Sequence, residues 1–178
     1  MNANHSRIWS RCDTPLGELT LTASDEGLDG LFFPGRSPVL DEADHYPERF
    51  VQVTDQLAEY FSGARQRFEV DLDLSRGTPF QRSVWQQLQL LPYGETTSYS
   101  QLAIRLGRLD RVRAVGAAVG RTPLPIIVPC HRVIGSDGKL TGYIGGLQRK
   151  EALLDMESAA RYGRDAPAAL RPRQLALL

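Results

Sequence analysis

The stretch Ser98-Tyr99-Ser100-Gln101-Leu102-Ala103-Ile104-Arg105-Leu106-Gly107-Arg108-Leu109-Asp110-Arg111-Val112-Arg113-Ala114-Val115-Gly116-Ala117-Ala118-Val119-Gly120 decides how this chain is read. Ser98 is a good N-cap for a helix through Leu106, where Gly107 supplies a stop. Asp110 is placed to cap another helix that runs to about Gly120. Two short helices separated by Gly107-Arg108-Leu109 predict a helix-turn-helix. The second of them carries Ala114, Gly116, Ala117, Ala118 and Gly120, small side chains that let a helix approach another surface closely. That surface is a neighbouring helix or a ligand. Arg108, Arg111, Arg113 and Arg121 around it favour DNA phosphates.

Upstream, Thr78 caps a further helix whose first residue is Pro79. Phe80, Val84, Leu88 and Leu91 share its inner face, with Trp85 beside them, and Pro92-Tyr93-Gly94 ends it. Before Arg76 the period changes. Ile8 to Asp13 and Leu16 to Ala23 read as two strands, with Leu19, Leu21 and Ala23 alternating against Glu18, Thr20 and Thr22. Leu28 to Phe33 reads as a third strand, closed by Pro34-Gly35. Gly35 to Pro47 is turn-rich and acidic. Phe50 to Ser62 has helical spacing at Val53, Leu57, Tyr60 and Phe61. Phe68, Val70, Leu72 and Leu74 alternate with charges and predict a fourth strand. The expected fold class is α/β (α+β). Its parts are a small N-terminal α/β domain over 1–75, a mostly helical domain over 76–163, and a mobile basic tail over 164–178.

The 178 residues are 42% hydrophobic and 24% charged, which excludes a disordered, collagenous or coiled-coil chain. No apolar run approaches the ~18 residues of a membrane helix. Met1 to Asp13 is polar without a signal-peptide core, so a cytoplasmic protein, on the nucleoid when bound to DNA, is expected. Cys12 and Cys130 are the two cysteines, and a reducing compartment without disulfides is expected. Zero net charge hides an asymmetry: residues 1–75 hold 6 basic and 14 acidic groups, net −8, while 76–163 hold 12 and 6, net +6. A basic second half suits a polyanion; a solvated basic surface is the plainer alternative.

Ile126-Ile127-Val128 predicts a buried strand or extended segment that leads into Pro129-Cys130-His131-Arg132-Val133-Ile134. A cysteine between a buried run and a histidine is a candidate activated nucleophile. A small buried hydrophobe beside a histidine is the plain alternative. Adjacent side chains point apart, so direct contact is difficult. A water between them would solve this, and His131 would then need a second partner to hold its ring.

Pro129-Cys130-His131-Arg132-Val133 resembles the signature of the DNA alkyltransferases that repair 6-O-methylguanine. The resemblance extends through Pro92-Tyr93-Gly94-Glu95-Thr96-Thr97-Ser98-Tyr99, Arg113-Ala114-Val115-Gly116, Gly142-Tyr143-Ile144-Gly145-Gly146-Leu147 and Lys150-Glu151-Ala152-Leu153-Leu154. It implies a ribonuclease H-like N-terminal domain and a winged-helix-like second domain. It also implies binding to double-stranded DNA in the minor groove, rotation of 6-O-alkylguanine out of the stack, and irreversible transfer of the alkyl group to Cys130. A lesion at 4-O-alkylthymine stays open, as does clustering on DNA by a protein expected to be monomeric in solution. No metal or cofactor is implied. Some relatives carry an N-terminal zinc site, but His5, Cys12 and His45 form no persuasive zinc set.

By the same resemblance His131 is the water-mediated base and Glu157 the acid that orients it. Tyr99 donates a hydrogen bond to the flipped base. Arg113 fills the gap left in the duplex, on a DNA-binding helix with Ala114, Gly116 and Ala117, flanked by Arg111 and Arg121. Val133, Ser136, Tyr143, Ile144 and Thr122 belong to the lesion pocket. Two positions depart from the family pattern. Thr122 stands where asparagine is usual and is expected to hold the turn less firmly, and Ile144 stands where some relatives have a smaller residue. Three other classes compete: a non-catalytic lesion binder, which Cys130 argues against; a cysteine hydrolase; and a dimeric helix-turn-helix regulator.

Overall fold

Period-two patterning near the N-terminus builds an antiparallel meander of β1 (Ile8–Thr14), β2 (Gly17–Ser24) and β3 (Gly27–Phe32). The structure is a computed structural model and describes residues 7–162, so the predicted 164–178 tail and His5 lie outside the described residues. By its internal packing the chain divides into two units, Met1–Arg76 and Gly77–Leu178. In the first, one sheet face buries Leu19, Leu21 and Leu31, while Trp9 is buried on the opposite face, across the ladder from Thr22. Helix α1 (Val51–Ser62) packs on β1 and buries Val53, Leu57 and Tyr60. His45 stacks on Trp9 at 4.4 Å between ring centroids.

The predicted strand over Phe68 to Leu74 does not form. That segment meets β3 through two bonds only, Leu28 N–H to the Asp71 carbonyl (2.9 Å) and Asp73 N–H to the Leu28 carbonyl (2.8 Å). The Gln56 side chain explains the stop: its Oε1 accepts from Glu69 N–H at 2.7 Å and its Nε2 donates to the Glu69 carbonyl at 3.1 Å. A side-chain amide thus takes the backbone groups that a longer ladder would use.

The second unit is helical: α2 (Pro79–Gln89), α3 (Tyr99–Arg105), α4 (Val112–Val119) and α5 (Leu147–Tyr162). Thr78 with Gln81, and Ser98 with Gln101, form full capping boxes at the starts of α2 and α3. Helix α4 packs on both α2 and α3. Trp85 fixes the first contact by donating from Nε1 to the Ala118 carbonyl at 2.9 Å. Asp110 does not cap α4. Leu109–Arg111 tightens into a 3-10 turn, Asp110 lies exposed 3.6 Å from Arg111, and α4 starts at Val112 without a side-chain cap. Among the described residues no helix is long and apolar enough to cross a membrane.

Ile126 to Val128 is buried as expected but is not a strand. It is a turn in which Val128 N–H reaches back to the Leu124 carbonyl at 2.8 Å. Ile126 adopts φ 78°, the one positive φ outside glycine among the described residues. Flanking prolines at 125 and 129 prevent a regular ladder here.

Candidate active site and nucleic-acid interface

Pro129 opens an inverse turn (φ −77°, ψ 61°) in which Cys130 N–H donates to the Val128 carbonyl at 2.7 Å. Cys130–Arg132 then forms a single 3-10 turn, and Val133–Ile134 is strand β5. Strand β4 (Thr97–Ser98) pairs with β5 in parallel, Thr97 against Val133. This two-residue ladder sets the start of α3, and with it Tyr99, beside the cysteine segment. The Tyr99 hydroxyl donates to the Thr141 carbonyl at 3.3 Å.

Cys130 is 3% exposed. Burial pushes its thiol up to about 12, against the Thr122 hydroxyl, the Lys150 ammonium and the N–H groups of Cys130 and His131, which all favour a thiolate. His131 has no exposed side-chain surface, and its Nε2 lies 2.9 Å from Glu157 Oε1. Glu157 is anionic here, so Nε2 carries the proton and donates it. That leaves the Nδ1 lone pair, which has no protein hydrogen-bond partner. Burial also lowers the His131 pKa and outweighs the pull of Glu157. The imidazole is therefore neutral and able to accept a proton on Nδ1.

Glu157 lies on the buried stripe of α5 with Lys150, Leu153, Leu154 and Ser158. Burial opposes its charge, but His131 and the Arg132 guanidinium outweigh burial and hold the carboxyl well below the usual range. Arg132 donates from Nε to Oε2 (2.9 Å) and from Nη2 to Oε1 (2.8 Å), and Gly94 N–H donates to Oε2 at 3.1 Å. Gly94 has φ 72°, and a Cβ there would sit 3.1 Å from the Glu157 carbonyl oxygen, so this turn requires glycine. Lys150 Nζ donates to the carbonyls of Val133 (2.6 Å), Thr141 (2.7 Å) and Gly142 (3.3 Å). Burial lowers its pKa to about 8.

Of the expected pocket residues, Val133 is buried, the Tyr143 ring stands nearly perpendicular to His131 with centroids 6.5 Å apart, Ile144 is half-buried and Ser136 is exposed in the turn after β5. Thr122 is 1% exposed, and its Oγ1 donates to the Val119 carbonyl at 2.7 Å. Threonine itself thus ties the end of α4, and its hydroxyl lowers the Cys130 pKa against the effect of burial. Thr122→Val is expected to lower stability by about 1–3 kcal/mol, because a buried carbonyl loses its donor; a denaturant midpoint reads this. On α4, Arg113, Ala114 and Ala117 are exposed, Gly116 is half-buried, and Val115, Ala118 and Val119 face the core. Arg111 and Arg121 are exposed at its two ends. Among the described residues no group of His, Cys, Asp and Glu is arranged to hold a metal ion.

Residues 79–159 match the 6-O-methylguanine DNA methyltransferase DNA-binding domain, and residues 8–74 match the ribonuclease-like domain of the same proteins. The methylated-DNA–protein-cysteine methyltransferase of Mycolicibacterium paratuberculosis is 45% identical over 164 residues, which are 89% of this chain and 93% of that protein. The chain belongs to this family. The Methanosarcina barkeri methyltransferase is 45% identical over 148 residues, 82% of this chain and 93% of its own. The crystal structure of Mycobacterium tuberculosis O6-methylguanine methyltransferase superimposes with a TM-score of 0.78 at 43% identity, covering 91% of this chain and 96% of that one. Mycobacterium tuberculosis OGT in complex with DNA gives 0.78 at 44% identity, covering 86% and 94%.

Two residues of this cluster were not singled out from the sequence: Arg132 and Lys150 in their structural roles. Lys150 and Glu157 sit seven residues apart within a buried stripe that includes Leu153, Leu154 and Ser158. Charged residues at core positions of a helix signal buried partners. Arg132, next to the Cys-His pair, gave no such periodic signal.

Proposed function

We propose that this protein repairs DNA by taking the methyl group of 6-O-methylguanine onto Cys130, once per molecule. The observation that carries the reading is His131, held through Nε2 by Glu157 and open at Nδ1 beside a buried cysteine. Through one bridging water, Nδ1 takes the Cys130 proton as the sulfur attacks the methyl carbon. The S–C bond forms, the C–O bond breaks, and the electron pair stays on guanine. Tyr99 donates a hydrogen bond to the departing base, and the restored guanine takes its proton from water. A thioether has no route back to a thiolate here, so the protein is consumed.

DNA is the partner. The exposed strip Arg113-Ala114 and Ala117, flanked by Arg111 and Arg121, suits the minor groove, with Arg113 occupying the space of the extruded base. Val133, Ser136, Tyr143 and Ile144 then line the lesion pocket. The protein acts as a monomer in the cytoplasm. Ala117→Leu is expected to leave stability within about 0.5 kcal/mol, since the side chain is exposed. The same change should weaken duplex binding roughly tenfold or more, because a bulky residue blocks close approach. Equal affinities in a titration would reject this face as the contact.

Turnover tests the reaction. Protein is mixed with excess methylated duplex, and guanine restored per protein is counted. One equivalent is expected; continued turnover would favour a hydrolase. The same assay with 4-O-methylthymine in the duplex settles that lesion.

A further inference from the structure

Arg132 is buried, and every arm of its guanidinium is engaged. Nε and Nη2 span the two oxygens of Glu157 at 2.9 and 2.8 Å. Nη1 donates to the Leu91 carbonyl at 2.6 Å, and the group lies 5.6 Å from the Tyr93 ring centroid. The fork has two consequences. A carboxylate gripped on both oxygens cannot turn about its terminal bond, so Oε1 stays committed to His131. The second consequence concerns charge. Glu157 and Arg132 neutralise one another before His131 is counted. A protonated His131, without any exposed surface, would add an unbalanced positive charge near Lys150.

We propose that Arg132 is a positioning residue for methyl transfer: its fork fixes Glu157 against His131 and cancels the carboxylate's charge, so that the imidazole rests neutral and ready to take the Cys130 proton. This rests on the reading of His131 as the base. The groups around the imidazole are Glu157 and Lys150 from α5, Arg132 from its own turn, and the Tyr143 ring, nearly perpendicular to it, with Cys130 its neighbour in the chain. When the S–H proton moves to Nδ1, a thiolate and an imidazolium appear together. The net charge of Cys130, His131, Arg132 and Glu157 is zero before the transfer and zero after it. Without Arg132 the carboxylate would favour an imidazolium in the resting protein, and a protonated imidazole cannot serve as the base.

The test is imidazole nitrogen NMR on the full chain, with His131 assigned by His131→Gln, read together with single-turnover transfer against pH. In the wild type His131 should be neutral near pH 7 and protonated on Nε2. In Arg132→Met its midpoint should rise by about 1–3 pH units, the scale of removing one charge at this distance. Transfer near neutral pH should then fall and recover towards alkaline pH. In Arg132→Lys the charge is kept, so the midpoint should stay near the wild-type value. Transfer should still slow, because one ammonium cannot span both oxygens. An imidazolium in the wild type near pH 7 overturns the proposal without any variant, even if Arg132→Met fails to fold. So does an unchanged midpoint in Arg132→Met, or a midpoint in Arg132→Lys raised as far as expected for Arg132→Met. Full transfer by His131→Gln would instead overturn the base itself, whatever Arg132 does to the titration.

Discussion

Cys130→Ser is expected to reduce methyl transfer by roughly 10³-fold or more, the scale of removing a catalytic nucleophile, while duplex binding is unchanged. A hydroxyl is a far weaker nucleophile than a thiolate near neutral pH. The substitution leaves the binding face untouched, because Arg113, Ala114 and Ala117 are exposed on α4 whereas position 130 is buried. Serine also fits the space and keeps a polar partner for the Thr122 hydroxyl. Transfer by this variant at the wild-type rate would remove Cys130 from the chemistry, and a parallel loss of DNA affinity would mean that the change had damaged the fold instead.

Glu157→Gln is expected to cost about 3–5 kcal/mol of stability near neutral pH, because Arg132 would be left as a buried charge without its counter-ion. Transfer should fall as well, since an amide no longer stabilises the imidazolium that forms. The wild-type pH dependence follows from the same group. Its folded pKa is depressed, so its stabilising contribution is complete above the ordinary value of ~4.3 and is lost as pH falls below it towards the folded value. Denaturant midpoints of both proteins between about pH 5 and about pH 2 check this. The gap between them should narrow on the acid side. A constant gap would show that the carboxylate is not held by its charge.

The features that local chemistry decides were readable in the sequence. Thr78 and Ser98 announced their helices because a capping box is complete within four residues. The meander was readable because Leu19 and Leu21 alternate with polar neighbours. Expectations failed where distant groups compete for the backbone. Phe68 to Leu74 has strand periodicity, but Gln56, thirteen residues earlier, takes the Glu69 amide. Asp110 has a capping residue's chemistry, but the chain tightens into a 3-10 turn first. The Ile126 turn with its positive φ lies between two prolines and resembles any apolar run when read by hydropathy.

The site divides in the same way. Cys130 and His131 stood out as an adjacent pair, and family resemblance supplied Glu157 and Tyr99. The resemblance did not reveal that Arg132 grips the same carboxylate, or that Lys150 gathers three carbonyls around the pocket. These contacts link residues 8 to 25 positions apart, and they depend on how α5 is rotated against the 3-10 turn. Thr122 illustrates the converse. A shorter side chain than the family's usual asparagine suggested a weaker tie, yet its one hydroxyl reaches the Val119 carbonyl.

The central claim is that the methyl group ends on Cys130 and nowhere else. Intact mass after reaction with duplex DNA carrying 6-O-methylguanine, followed by peptide mapping, measures this directly. One added methyl per protein, located on the peptide containing Pro129-Cys130-His131, is the predicted result. An unmodified protein after the lesion has been repaired, or a methyl group on Cys12, would contradict it.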